Sequence, residues 1–358
     1  MDALIPDPVT APANVARTPH PIFVLTYEQK DITSDVTPFV LSVTYTDYLS
    51  GESDEIAVEL EDADGRWIDA WYPGKGDTLR LSIGYEAGPL LPCGAFEIDE
   101  VEFNRPPATV SIRALATGVK PALRTRSGRA FENTTLSAIA QHIAKRNKFT
   151  VVGKIREIRI DRVTQYQERD LAFLHRLARE YGYAFKIVGS KLVFTELSAL
   201  REEKAVTTFE AKDLTSLRLT DKIKEIYSEA KGKYQDPKTK KLVVYGVKDG
   251  QVAVVGTSAA SAKKTSGKAA SGDTLKLSTR GPKAAVEAKT RAALDRANLQ
   301  RTSGSLSLPG DPRLVAGNSV ELAGLGRLSG KYLIESARHR LARDVGYTVE
   351  IEVKRTES

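Results

Sequence analysis

The chain has 358 residues, of which 41% are hydrophobic and 28% are charged, a composition typical of a soluble protein with two or three globular domains. Its single cysteine, Cys93, excludes an internal disulfide and a cysteine-rich metal site, and no apolar run approaches the roughly 18 residues of a membrane-spanning helix. The first residues, MDALIPDPVTAPANVART, lack the apolar core of a signal peptide. We therefore expect residues 1–21 to form an N-terminal arm. We also expect the protein to fold in the cytoplasm, without stable membrane insertion.

The net charge of +7 is distributed unevenly along the chain. Residues 1–105 contain 6 basic and 20 acidic residues, whereas residues 106–200 contain 17 and 7, and residues 201–301 contain 22 and 12. An excess of basic residues is compatible with nucleic-acid binding through phosphates. The basic residues are scattered, however, and are not interleaved with aromatic residues that could stack on bases. We therefore favour complementary protein surfaces over a specific nucleic acid as partners.

An alternation of apolar and polar residues with period two runs from residue 22 to about residue 117. It predicts at least five strands of an antiparallel β-barrel or sandwich. The strand segments are FVLSVTYTDYL, DEIAVELED, DTLRLSIGYE, GAFEIDEVEF and ATVSIRALA, and the segments between them carry the Gly, Pro and Asp residues of turns. We assign a first β domain to residues 22–121.

The pattern changes to a small α/β module over residues 122–198. Thr134 or Thr135 can cap a helix in TLSAIAQHIAKRNK, and the strand-like segment FTVVGK follows. A second amphipathic helix, DLAFLHRLAREYG, is expected to stop at Gly182. The segment AFKIVGSKLVFTE alternates around Gly189–Ser190, which predicts a hairpin.

Residues 199–358 return to the β pattern and are assigned to a second β domain. Within it we expect a hairpin tip at DPKTKK, a loop rich in Ser, Gly, Ala and Lys over residues 256–273, and a helix over residues 284–301. The predicted fold class is therefore mainly β with an α+β insertion. The two similar β segments that flank the module suggest an internal duplication.

Candidate catalytic groups are few. The four histidines have no metal-ligand spacing, and zinc-protease, P-loop and nucleophile-elbow motifs do not occur. His175 lies among acidic side chains and has two interpretations, a catalytic base or a residue at the edge of a packed helix. We favour the packed helix, because Asp170 and Glu168 fall at the helix start, where carboxylates complement the helix dipole. We expect no catalytic, cofactor-binding or metal-binding residue.

One segment carries a family resemblance. The stretch ERDLAFLHRLAREYGYAF resembles the helix of the phage late control D family, also seen in the first part of type VI secretion spike proteins, where the usual pattern is close to ESDLxFLxRLAxxxGxxF. The matching residues are Asp170, Phe173, Leu174, Arg176, Leu177, Ala178, Gly182 and Phe185. YPGKGDTLRLSIGY is similar to a turn and strand of the same family, through Gly76, Asp77 and Gly84. Further similarity extends along residues 22 to about 353.

The resemblance implies the central baseplate hub of a contractile tail, in a myophage or a phage-tail-like bacteriocin (tailocin or pyocin). It implies two tube-like antiparallel β-barrel domains per chain and a homotrimer, so that six barrels form a ring between a hexameric tail tube and a trimeric spike. The implied partners are further copies of the chain, the tail tube protein, a separate central spike protein, the tape measure protein and baseplate wedge proteins. The implied location is the bacterial cytoplasm during assembly, and then the baseplate of the virion or tailocin.

Two alternatives remain open at this point. The chain could be a tail-tip enzyme that degrades the cell wall, which a peptidoglycan-cleavage assay distinguishes from a structural hub. It could also be a nucleic-acid-binding late regulator, for which salt-dependent retention on DNA is the discriminating measurement.

Overall fold

The computed structural model describes residues 19–116, 125–222, 227, 229–235, 242–248, 251–256, 274–278 and 281–356. The predicted hairpin tip at DPKTKK and residues 257–273 of the predicted loop lie outside these residues. The fold is mainly β with an inserted α/β module, which confirms the predicted class.

The first β region contains seven strands and one short helix. They are β1 (Pro21–Tyr27), β2 (Lys30–Asp31), α1 (Thr33–Val36), β3 (Val40–Tyr48), β4 (Glu55–Glu61), β5 (Thr78–Tyr85), β6 (Leu91–Asn104) and β7 (Thr109–Leu115). The period-two pattern forms these strands because alternate side chains face one core. In β4, for example, Ile56, Val58 and Leu60 are fully buried, whereas the residues between them are half-exposed.

The α/β module follows residue 125 and packs around its own core. Its elements are β8 (Arg126–Thr135), α2 (Leu136–Arg146), β9 (Thr150–Val152), β10 (Arg159–Arg169), α3 (Asp170–Tyr181), β11 (Tyr183–Val188), β12 (Lys191–Glu196) and α4 (Leu197–Glu202). Both predicted helices and the hairpin at Gly189–Ser190 are present, and Thr135 caps α2 by accepting the amide proton of Ala138. The sequence patterns did not predict the antiparallel ribbon of β8 and β10.

The remaining described elements include two sets of strands. They are β13 (Thr207–Glu210), the 3₁₀ turn Ala211–Asp213, β14 (Ser216–Asp221), β15 (Glu229–Gln235), β16 (Leu242–Lys248), β17 (Gln251–Gly256), β18 (Thr274–Ser278), α5 (Lys283–Leu299), β19 (Thr302–Pro309), β20 (Ser319–Ala323), the 3₁₀ turn Gly326–Leu328, β21 (Gly330–Ala342) and β22 (Gly346–Arg355). Strands β15–β18 form their own four-stranded sheet, and α5 packs on it and on α3.

Strands β13, β14 and β19–β22 belong to the same sheet as the first β region. The strand order is β14-β19-β22-β21-β3-β4-β7-β6-β5-β1-β2, with β20 beside β21 and β13 beside β20. The join is the antiparallel pair β3–β21, from Tyr48 opposite Ser336 to Ser42 opposite Ala342. One continuous hydrogen-bonded sheet therefore links the two β regions, a connection that the sequence patterns did not predict.

Candidate functional site

Helix α3 carries most of the residues that match the family pattern, and we call it the signature helix and those residues the signature residues. It is buried along one face. Phe173, Leu174, Leu177 and Ala178 have no solvent exposure and pack in the core of the module. Gly182 ends the helix in the left-handed conformation (φ 82°), and its amide donates to the carbonyl oxygen of Ala178. Phe185, also buried, lies in β11 against Phe194. These residues therefore form the packing core on which the other elements of the module rest.

Asp170 begins α3 as predicted, and its side chain also forms a buried hydrogen-bond network. Its side chain is fully buried and accepts hydrogen bonds from Arg146, from Asn147 Nδ2 at 2.8 Å and from Gln165 Nε2 at 2.9 Å. Burial by itself raises the pKa of the carboxyl group, and these donors hold the pKa below its usual value. Asp170 thus connects α2, the end of β10 and α3.

Arg176 of the signature helix pairs with two acidic side chains. The Nε atom of Arg176 lies 3.2 Å from Glu168, Nη1 lies 3.1 Å from Glu180, and the guanidinium group lies 5.2 Å from the ring centre of Phe173. Glu168 therefore also pairs with a side chain in the second turn of α3.

The other three signature residues lie in the first β region. Gly76 adopts φ 92° in the turn before β5, and Asp77 accepts hydrogen bonds from the hydroxyl of Tyr27 and the amide of Gly74. Gly84 passes so close to Pro89 that a Cβ atom would lie 2.8 Å from its carbonyl oxygen. The predicted signature residues therefore occupy two places, the module core and the ends of β5.

The junction between the module and the first β region is a buried charge cluster. The Nζ atom of Lys186 in β11 lies 2.5 Å from Oδ1 of Asp47 and 3.1 Å from Oδ2 of Asp54. The second oxygen of Asp47 accepts the amide proton of Ala316 at 2.8 Å, and Oδ1 of Asp54 accepts that of Tyr48 at 3.0 Å. One cluster thus ties together the module, the first β region and the loop before β20.

The charges of this cluster perturb one another. Burial raises the pKa of Asp54 to about 6, although Lys186 opposes the shift. Burial also disfavours a charged Lys186, but Asp47 and Asp54 together raise its pKa above the usual value. The lysine therefore stays protonated, whereas Asp54 titrates at about pH 6.

Two further contacts complete the junction. The Oγ atom of Ser50 accepts the amide proton of Phe185 at 3.0 Å, and Gly51 lies directly against the imidazole of His175. A Cβ atom at Gly51 would be 2.9 Å from Nε2 of His175. The imidazole is half-buried, and burial, with nearby Arg179, lowers its pKa. This placement supports the packing interpretation of His175 over the catalytic one.

No local pattern indicates the junction residues, because Lys186 is more than 130 positions from Asp47 and Asp54 and each of the three resembles an ordinary polar position of a strand or turn. The same holds for His339, which is fully buried between the hydroxyl of Tyr347 at 2.8 Å and the carbonyl oxygen of Leu314 at 2.9 Å. A neutral ring that donates from Nε2 and accepts at Nδ1 satisfies both contacts.

Other kinds of site find little support in the described part of the chain. Among those residues, no group of three or more His, Cys, Asp or Glu side chains is arranged to hold a metal ion. None of the helices that the structure describes is long and apolar enough to span a membrane.

The described structure is thus a continuous β-sheet with an α/β module attached through a buried junction. The sequence profile of the phage tail baseplate hub (GPD) family matches residues 118–345, and the chain belongs to this family.

Individual relatives agree with that assignment. The probable baseplate hub protein of Escherichia phage 186 is 35% identical over 176 residues, which is 49% of this chain and 44% of the relative. The match with this chain therefore covers less than half the length of that relative. A tail protein from Neisseria meningitidis MC58 has the same fold, with a TM-score of 0.66, 12% identity and coverage of 94% of this chain and 96% of the other.

A more distant structure is the Escherichia coli c3393 protein, described as a component of the type VI secretion system that is structurally similar to T4 bacteriophage tail proteins gp27 and gp5. Its TM-score is 0.52, its identity is 14%, and the alignment covers 88% of this chain and 73% of that one. At this identity the likeness shows the fold alone.

Proposed function

We propose that the chain is a non-enzymatic baseplate hub of a contractile tail, in a myophage or a tailocin, and that it acts as a homotrimer. The observation that carries this proposal is the β3–β21 pair, which joins two β regions of one chain into one sheet. Three such chains place six β regions around an axis, and such a ring matches a hexameric tail tube on one side and a trimeric spike on the other.

The proposed partners are the tail tube protein, a separate central spike protein, the tape measure protein and the baseplate wedge proteins. The family membership supports this set, since its matched members are baseplate hub proteins. The domain limits 22–121, 122–198 and 199–358 remain part of the proposal, with the sheet β15–β18 and α5 as an additional layer beside the module. We infer assembly in the bacterial cytoplasm, before incorporation into the baseplate.

Mass measurement of the purified chain tests the proposal most directly. We expect a species of three times 39.1 kDa that binds the spike protein. The opposite charges of residues 1–105 and 106–301 predict that trimer is lost as salt rises, because surface attractions are screened. A strictly monomeric chain with no affinity for the spike contradicts the hub function. A peptidoglycan-release assay on the same sample is expected to show no activity.

A further inference from the structure

An open apolar cavity of about 320 Å³ lies in the first β region, at the end of β4 that is away from the α/β module. Trp71 and Tyr72 form part of its wall and are 41% and 49% exposed, and Tyr72 stacks on the half-exposed ring of Phe103 at 6.0 Å between ring centres. We call this cavity and its aromatic rim the aromatic mouth. Exposed apolar surface of this kind marks an interaction site, and the volume falls in the range of about 300–1,000 Å³ typical of pockets that enclose a ligand group.

The segments that form the aromatic mouth are acidic on balance, and Asp35 and Lys30 both lie in the cavity wall. Residues 28–35 and 61–77, which contribute to its walls and the adjacent turns, contain eight acidic and three basic residues. Asp69, in the turn that carries Trp71, is exposed. The surface therefore favours a partner that presents an apolar group surrounded by positive charge.

The chain itself presents such a group on the ribbon of β8 and β10. Tyr166 is 78% exposed, the highest exposure among the large hydrophobic side chains of the described residues. It projects from a β-bulge where the pairing of β10 with β8 shifts between Gln165 and Glu168. Arg126 and Arg169 face each other across the adjacent end of the ribbon.

The bulge is held rigidly. The side chain of Gln165 is fully buried and donates to the carbonyl oxygen of Glu168 at 3.0 Å and to Asp170 at 2.9 Å. Fixing the backbone on both sides of Tyr166 reduces the ordering cost when that side chain binds a partner. The buried Asp170 network thus gives the signature helix a second role, the support of an exposed aromatic side chain.

The two surfaces do not meet within one chain, because Tyr166 is exposed and the aromatic mouth is open. The module attaches where β4 begins, beside Asp54, whereas Leu60 near the other end of β4 lines the aromatic mouth. These ends are separated by about 20 Å of strand. A contact between Tyr166 and the aromatic mouth therefore joins two copies of the chain. One copy contributes Tyr166 and the other contributes the mouth, as in a closed ring of identical subunits.

We propose that Tyr166 of one copy inserts into the aromatic mouth of the next copy, with the arginines of the ribbon facing the acidic turns around it. This inference rests on the proposed homo-oligomeric hub and names one of its subunit contacts. The tyrosine ring supplies an apolar anchor of about 150–250 Å². The charges orient the approach.

Cysteine cross-linking between two variants tests this contact. Both carry Cys93→Ser, which removes the only native cysteine; one adds Tyr166→Cys and the other adds Tyr72→Cys. After the two are mixed and oxidised, we expect a disulfide-linked dimer at least tenfold more abundant than in a mixture of Tyr166→Cys with Val345→Cys, an exposed position on the β21–β22 turn.

A second measurement uses the full chain with Tyr166→Ala. Because the side chain is largely exposed, we expect an unchanged melting temperature and a weakening of self-association by tenfold or more. Normal trimers with cross-linking no higher than in the control mixture overturn the Tyr166 contact and leave the hub function standing. A chain that stays monomeric at all concentrations overturns both.

Discussion

The ammonium group of Lys186 lies 2.5 Å from a carboxylate oxygen of Asp47, so that one side chain of the α/β module is the counter-charge for two carboxylates buried in the first β region. Replacing Lys186 with Met leaves both carboxylates buried without a counter-charge. We expect a loss of about 3–5 kcal/mol in unfolding free energy at pH 7. Both tryptophans of the chain lie in the first β region, so their fluorescence during urea unfolding reports this change. Lys191→Met, at an exposed position of the same module, is the matched control and is expected to change stability by less than about 0.5 kcal/mol.

Asp54 predicts a pH dependence of stability. Its pKa in the folded chain is about 6, above the usual 3.8, so the folded state takes up a proton between pH 7 and pH 5 that the unfolded state does not. This group therefore makes the chain more stable as pH falls, by up to about 1.4 kcal/mol per pH unit. We expect the wild type to gain unfolding free energy relative to Asp54→Asn between pH 7 and pH 5. A constant difference across this range contradicts the assignment.

The comparison with Asp54→Asn is needed because His339 acts in the opposite direction. Burial lowers the pKa of its imidazole, so protonation below the usual value near 6.5 favours the unfolded chain. Both proteins retain His339, and its effect cancels in their difference.

The sequence predicted the local structure well and the long-range contacts poorly. Period-two and helical spacing located β3 to β7 of the first β region, but not β1 and β2, and both helices of the module, because each pattern depends on one buried face within a short segment. The β3–β21 pair and the Lys186 cluster join residues more than 100 positions apart, and no local pattern encodes such a pairing. The ribbon of β8 and β10 was missed because its exposed arginines and threonines interrupt the alternation.

The network around Asp170 predicts a severe effect of a nearly isosteric change. In Asp170→Asn a neutral amide replaces the carboxylate that balances Arg146, and an amide NH₂ faces one of the present donors. We expect a loss of about 3–5 kcal/mol, seen as faster hydrogen exchange in α2 and α3. Asp161→Asn, a half-exposed aspartate on the same ribbon that pairs only loosely with Arg159, should leave the exchange rates of both helices unchanged.

Two glycines with similar backbone conformations separate steric contact from backbone strain. Gly51 and Gly76 have φ values of 96° and 92°, but an added Cβ meets His175 at the first and nothing within 4 Å at the second. Both Gly→Ala changes incur the cost of a left-handed alanine, while only Gly51→Ala forces the imidazole out of its rotamer. We expect Gly51→Ala to be more destabilising by about 0.5–1.5 kcal/mol in urea unfolding. In a chain that already carries His175→Ala, the two glycine changes should cost the same unfolding free energy, because the shortened side chain no longer meets the new methyl group. An excess that survives this second change shows that His175 does not pack against Gly51.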